Sequence, residues 1–223
     1  GACYLADELA ALGEVLLRHP HVLILTDDIY EHLIYDGRDF STIAEIVPEL
    51  KSRTLTMNGV SKAFAMTGWR LGYAGGPKWL IAAMRKVMMQ TTSNPCSVTQ
   101  WASVAALNGP QDFLKDRGDV FEKRRDRVVA GLNAINGLEC PVPDGAFYVF
   151  PSCRGLMGKT SPNGTLLRSD HDFAQSLLTE AHIAIVPGSA FGMPNHFRLS
   201  FAADMKLLEK ALTRIEAFCS TCS

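Results

Sequence analysis

Three observations predict an α/β protein. Short apolar runs alternate with longer segments of helical periodicity, the first run ends in a pair of acids, and glycine and proline punctuate the joins. With 47% hydrophobic and 20% charged residues, the 223-residue chain has enough apolar side chain to repay the entropy of ordering, so a disordered chain is excluded. Twenty-two Lys and Arg stand against 23 Asp and Glu, a formal net charge of -1. That balance gives no electrostatic case for nucleic acid or an anionic membrane as partner. The longest apolar runs, such as Val22 to Leu25 and Trp79 to Met84, fall well short of the roughly 18 to 20 residues of a spanning helix, so no membrane segment is predicted.

The elements follow in order. Leu5, Leu9, Leu12, Val15 and Leu16 recur at helical spacing over residues 4–18, with Asp7 and Glu8 early, as an amphipathic helix requires. Val22 to Thr26 is a continuous apolar run ending in Asp27 and Asp28, which reads as a strand of a parallel sheet buried on both faces. Thr54 to Met57 and Leu71 to Ala74 read as a second and a third strand of the same parallel kind, the last closed by Gly75, Gly76 and Pro77. Helical patterns cover residues 78–89, 97–107 and 111–135. Beyond Gly137 the texture changes: a strand at 146–151, a loop rich in Gly, Ser and Asn at 155–169, a helix at 172–180, strands at 183–186 and 197–201, and an amphipathic helix at 204–218. Residues 1–120 are expected to form one domain and 121–223 a smaller α+β domain, the boundary falling along the third of those helices.

Six cysteines, Cys3, Cys96, Cys140, Cys153, Cys219 and Cys222, lack zinc-site or disulfide-scaffold spacing. They predict free thiols in a reducing, cytoplasmic setting. Cys219 and Cys222 form a Cys-x-x-Cys, but it follows a helix instead of opening one beside a strand. The six histidines form no metal-ligand pair on a helix, and neither a Gly-x-Ser-x-Gly elbow nor a phosphate-binding P-loop occurs. No metal site is predicted.

The chemistry concentrates in Asn58 to Tyr73, Asn-Gly-Val-Ser-Lys-Ala-Phe-Ala-Met-Thr-Gly-Trp-Arg-Leu-Gly-Tyr. Lys62 follows an apolar strand in a run without acids, surroundings that turn an amine into a nucleophile able to form a Schiff base with an aldehyde. A lone lysine there is more commonly a solvated loop residue; Ser61 before it, and Trp69 and Arg70 after it, argue otherwise. Arg70 carries a planar fork suited to phosphate. Asp27 and Tyr30, in Thr-Asp-Asp-Ile-Tyr-Glu, lie at the carboxyl end of the first strand, where open α/β sheets place ligands. By itself an Asp-Asp pair there reads as a helix cap or a metal ligand. Arg198 alternates with apolar residues in His196 to Phe201; a buried guanidinium needs an anion, either a substrate carboxylate or an acid of the same lobe.

The Ser-Lys…Gly-x-Arg segment closely resembles the cofactor-lysine motif of the fold-type I pyridoxal-phosphate aminotransferases, in detail the aspartate and aromatic branch of class I. The resemblance implies a fold: part of the large domain of a PLP-dependent transferase, followed by an α+β C-terminal small domain. It implies pyridoxal 5'-phosphate as cofactor, held as a Schiff base by Lys62. Ser61 and Arg70 would bind its phosphate, Asp27 its pyridine nitrogen and Tyr30 its 3-oxygen, with Asp28 turned away from the ring. Arg198 would bind the α-carboxylate of an amino acid or 2-oxo acid substrate. Pro143 to Tyr148 and Val186 to Gly192 resemble second-lobe segments of the same enzymes, though turn chemistry accounts for most of their residues. Thr92 to Pro95 resembles a loop that reaches a partner subunit's site, implying a homodimer.

The resemblance covers only the later part of the family. Gly1 resembles the glycine of an Asn-Pro-x-Gly turn that precedes the first helix in complete members, so the chain is expected to be truncated there. Three strands of a sheet that has about seven would leave an edge and apolar faces uncovered. Two other functions remain open: a pyridoxal-phosphate lyase or synthase of the same fold, and an inactive fragment acting as an interaction module. The wording from Met66 to Tyr73 favours the aminotransferase.

Overall fold

A computed structural model describes all 223 residues. They divide into two compact units, Cys3–Gly118 and Asp119–Ser223 with Gly1–Ala2. The division falls inside one long helix.

In the first unit, α1 (Ala6–Leu17) begins where Glu8 reaches back to accept the Leu5 N–H at 2.8 Å. Beyond its C-terminus, Arg53 donates to the carbonyls of Leu16 at 2.6 Å, His19 at 3.0 Å and Val22. Those bonds tie the end of α1 to the start of β1 (Ile24–Asp27). The short helix α2 (Ile43–Ile46) and a 3₁₀ turn at Pro48–Arg53 lead into β2 (Thr54–Gly59), which pairs parallel to β1 with Ile24 opposite Thr54 and Asp27 opposite Met57. Leu9, Ile43, Val47 and Leu50 form the core on one side of this pair, with Ile24 packed against it.

Two features differ from the sequence expectation. β1 is not buried on both faces: Ile24 and Thr26 turn inward, while Leu23 and Leu25 are 57% and 60% exposed. The reason is that α1 and α2 cover one face of the strand and no element of this chain covers the other. The third strand, β3 (Gly72–Gly75), pairs antiparallel to β2, giving the order β1-β2-β3. The segment from Val60 to Leu71 contains only turns and one 3₁₀ helix at Thr67–Trp69. Without a full crossover helix the chain returns beside β2 in the opposite direction. Gly59 suits the close approach there, because a Cβ would come within 3.2 Å of the Leu71 carbonyl oxygen, tighter than an ordinary contact. Helices α3 (Lys78–Met88) and α4 (Ser97–Asn108) follow, and α5 (Asp112–Asn133) runs through the boundary.

In the second unit, β4 (Tyr148–Val149), β5 (Val186–Pro187) and β6 (Phe197–Ser200) form an antiparallel sheet in the order β4-β6-β5. These strands are shorter than the sequence suggests. Side chains alternate across them. Val149, Phe197 and Leu199 face a core that includes Phe173, with rings 5.4 Å from Phe197 and 6.0 Å from Phe218. Phe173 lies in α6 (Asp170–Ser176) and Phe218 in α7 (Met205–Thr221). α6 is capped by the Ser169 hydroxyl, which accepts the Asp172 N–H, and passes into one π turn at Leu177–Ala181. The opposite face of the sheet carries Tyr148, Phe150, His196 and Arg198.

Candidate functional site

β1 and β2 point the same way, so their carboxyl ends finish at one edge of the sheet, and five of the candidate residues gather there. Asp27 is the last residue of β1, with Tyr30 in the turn that follows. Ser61 and Lys62 occupy the turn after β2, where the Lys62 carbonyl accepts the Ala65 N–H at 3.1 Å. The Lys62 Nζ lies 5.8 Å from the centroid of the Tyr30 ring, so the lysine motif and the Asp-x-x-Tyr motif meet in space. The Ser61 hydroxyl makes no hydrogen bond within the protein. Arg70 closes the Thr67–Trp69 turn in the left-handed region, at φ 54°, a conformation that costs a non-glycine residue about 1 kcal/mol. Its guanidinium donates one bond to the Thr67 carbonyl at 3.0 Å and keeps its other donors free at an exposed position.

Asp27 and Asp28 separate cleanly. Strand alternation puts Asp27 on the face of Leu25 and Met57, the open one, and turns Asp28 to the face of Thr26 and Asn58. Asp28 continues the ladder by donating its N–H to the Met57 carbonyl at 2.9 Å. Burial pushes the Asp28 carboxyl up from its ordinary 3.8, and the charges of Glu31 and Asp27 add to the rise. The Thr42 and Thr26 hydroxyls beside it pull the other way, although neither has a hydrogen-bond partner of normal geometry. Glu31 in turn accepts a 2.6 Å bond from Asn58 Nδ2. Burial, with the Glu31 charge behind it, also raises the phenol of Tyr73.

Arg198 belongs to the second unit. Its guanidinium carbon stands 4.5 Å from the Tyr148 ring centroid and 4.8 Å from that of Phe191, and no carboxylate reaches it. The structural ion pair weighed from the sequence is absent. No group of three or more His, Cys, Asp or Glu side chains is placed to hold a metal ion, and no helix is long and apolar enough to cross a membrane. All six cysteines are free thiols.

The model of the family "Aminotransferase class I and II" matches residues 1–215. This chain belongs to that family. Among its curated relatives, an aspartate aminotransferase of Rhizobium meliloti (strain 1021) is 59% identical over 223 residues, covering 100% of this chain and 54% of the relative. A probable aspartate/prephenate aminotransferase of Rhizobium leguminosarum bv. phaseoli is 54% identical over 222 residues, covering 100% of this chain and 56% of the relative. Of the solved structures, the aspartate aminotransferase from Rhizobium meliloti superposes with a TM-score of 0.95 at 58% identity, over 100% of this chain and 56% of that one. The aspartate aminotransferase from Thermus thermophilus with maleate gives 0.85 at 38% identity, over 97% and 53%. The chain therefore spans about half the length of the relatives it matches, and its architecture is that part of a fold-type I aminotransferase.

Sequence reasoning overlooked several neighbours that the aminotransferase fold brings in. Glu31, Asn58 and Tyr73 gather with Asp28 on the inner face, and Tyr148 and Phe191 stand against Arg198. Alternation along β2 and β4 was the available signal, but it becomes usable only once strand register is known.

Proposed function

We propose that this chain is the lysine-bearing part of a pyridoxal-phosphate-dependent aminotransferase, whose whole protein moves an amino group between an amino acid and a 2-oxo acid. The observation that carries the proposal is the meeting of Lys62 with Tyr30 at the common end of β1 and β2, since two motifs read separately from the sequence converge on one place. On this reading, Cys3–Gly118 is the later part of the cofactor-binding large domain, and the second unit is the small domain.

The donor set fits pyridoxal phosphate group by group. Lys62 offers an amine to the aldehyde, Ser61 a free hydroxyl and Arg70 unspent N–H groups to the phosphate, Asp27 a carboxylate to the pyridine nitrogen and Tyr30 a phenol to the 3-oxygen. When bound, the cofactor supplies a protonated ring that withdraws electrons from substrate Cα. The Asp27 carboxylate keeps the proton on the ring nitrogen, because a negative charge beside that nitrogen favours its charged form. Tyr30 orients the ring through its hydroxyl. Lys62, whose amine would hold the cofactor's aldehyde, would also serve as the base that takes the proton from substrate Cα and the acid that gives a proton back. Arg198 holds the substrate carboxylate by paired N–H bonds. The relatives are named aspartate and aspartate/prephenate aminotransferases, which supports aspartate as a substrate of the whole protein. The loop at Thr92 to Pro95 serves a partner protomer in a homodimer.

The test is covalent trapping in the full-length protein. Borohydride reduction after incubation with pyridoxal phosphate should fix the cofactor on the peptide containing Lys62, and Lys62→Ala should abolish the adduct. An adduct on any other lysine overturns the assignment.

A further inference from the structure

We infer that Phe191 is a positioning residue for Arg198, fixing the plane of its guanidinium so that the N–H edge stays open to a substrate carboxylate. The inference rests on the proposed role of Arg198. An arginine side chain carries about 2 kcal/mol of rotamer entropy, so one that must present two N–H groups in register needs something to hold it. The usual partner is an acid. An acid beside Arg198 would occupy the very donors the substrate needs. Here no acid reaches the guanidinium, and its central carbon lies over two aromatic rings, Tyr148 and Phe191, 4.5 Å and 4.8 Å from their centroids. Stacking orients the group and uses none of its N–H bonds.

The two rings are supported differently. Tyr148 is part of β4 and is fixed by pairing with Ser200. Phe191 sits at the end of a 3₁₀ turn, Gly188–Phe191, and is 50% exposed, so core burial does not explain where it stands. Its loop is nevertheless pinned. Asp170, only 2% exposed, accepts the Ser189 N–H at 2.7 Å, the Gly188 N–H donates to the His196 carbonyl at 2.7 Å, and the Met193 N–H donates to the Gly188 carbonyl at 3.0 Å. Burial alone would raise the Asp170 carboxyl, but hydrogen bonds from Ser189 and the Asn195 backbone outweigh it and hold the group below its ordinary value. At Gly188 a Cβ would lie 2.4 Å from the Met193 carbonyl oxygen, so the tight closure demands glycine. From the sheet, Phe150 buttresses the ring edge-on at 5.8 Å. Four separate constraints hold an exposed phenylalanine against one arginine.

Maleate, a dicarboxylate that is not turned over, is the probe, with its Kd measured by calorimetry on the full-length protein carrying its cofactor. Phe191→Leu should weaken maleate about fivefold, the loss expected from one partly exposed cation–π contact. Phe191→Tyr, which keeps the aromatic face, should hold affinity within twofold of the parent. Arg198→Ala should weaken maleate more than tenfold, and adding Phe191→Leu to it should cost nothing further. Phe191→Met, closer in length to phenylalanine, repeats the test should the leucine variant fold poorly. If Arg198→Ala binds maleate normally, the reading of Arg198 falls and this inference with it. If Arg198→Ala loses maleate but Phe191→Leu and Phe191→Met do not, or if Phe191→Tyr weakens maleate as the leucine variant does, the positioning role alone is overturned.

Discussion

Asp27 and Asp28 are chain neighbours on opposite faces of one sheet: Asp27 shares the open face with Leu25 and Met57, and Asp28 faces Thr26, Thr42 and Glu31. This geometry, more than the motif, separates their roles, because only a carboxylate on the open face can meet a ligand laid across the strand ends. Asp27→Asn keeps shape and removes charge. In the full-length protein it should slow the half-reaction with an amino acid by orders of magnitude, while Asp28→Asn should leave that rate within a few-fold of the parent. Stopped-flow absorbance of the cofactor reads both. The reverse pattern would move the ring-nitrogen partner to Asp28.

Asp28 also makes a prediction about stability, with a definite sign. Its carboxyl is raised above 3.8 by burial first and by the charges of Glu31 and Asp27 after that. The folded state therefore holds this proton more tightly than the unfolded chain does, and Asp28 costs stability at every pH above its raised folded value. That cost fades as pH falls toward 3.8 and is absent below it. Asp28→Asn should raise Tm at pH 7, and the gain should shrink and vanish on acidification through the same window. A gain that persists below pH 3.5 would assign the effect to packing instead of charge.

The site was readable in the sequence wherever its residues are contiguous. Ser61, Lys62 and Arg70 lie within one loop, and their order carries the resemblance to the cofactor-lysine motif. What could not be read depends on partners distant in the chain. Leu23 and Leu25 look like core residues by hydropathy, but a strand's burial is decided by what packs on each face, and here α1 and α2 cover only one. The direction of β3 depends on whether Val60 to Leu71 forms a crossover helix, and left-handed backbone at Ala65 and Arg70, which residue type does not announce, breaks the segment into turns. Arg198 was legible as an arginine in need of an anion. Its aromatic neighbours were not, since Tyr148 approaches through the pairing of β4 with β6 and Phe191 through a pinned loop.

The cysteines give a prediction that needs no cofactor. Cys96 is exposed and precedes the first turn of α4, where the N–H groups of Thr99 and Val98 lie close enough to favour the thiolate and lower its pKa, without completing a capping hydrogen bond of normal geometry. Cys140, Cys153 and Cys219 are buried, and burial pushes each thiol up to about 12. Alkylation proceeds through the thiolate, so at pH 7.5 the buried three are doubly protected, by access and by charge state. Iodoacetamide on the native 223-residue chain, followed by peptide mass mapping, should label Cys96 first and leave Cys140, Cys153 and Cys219 unmodified until denaturant is added. Across a pH series the labelling rate at Cys96 should follow its thiolate, with a midpoint below the ordinary thiol value of 9.0. Labelling of Cys153 or Cys219 as fast as Cys96 would mean that α7 and the sheet it packs on open readily, in conflict with the fully buried Phe197 and Ile215.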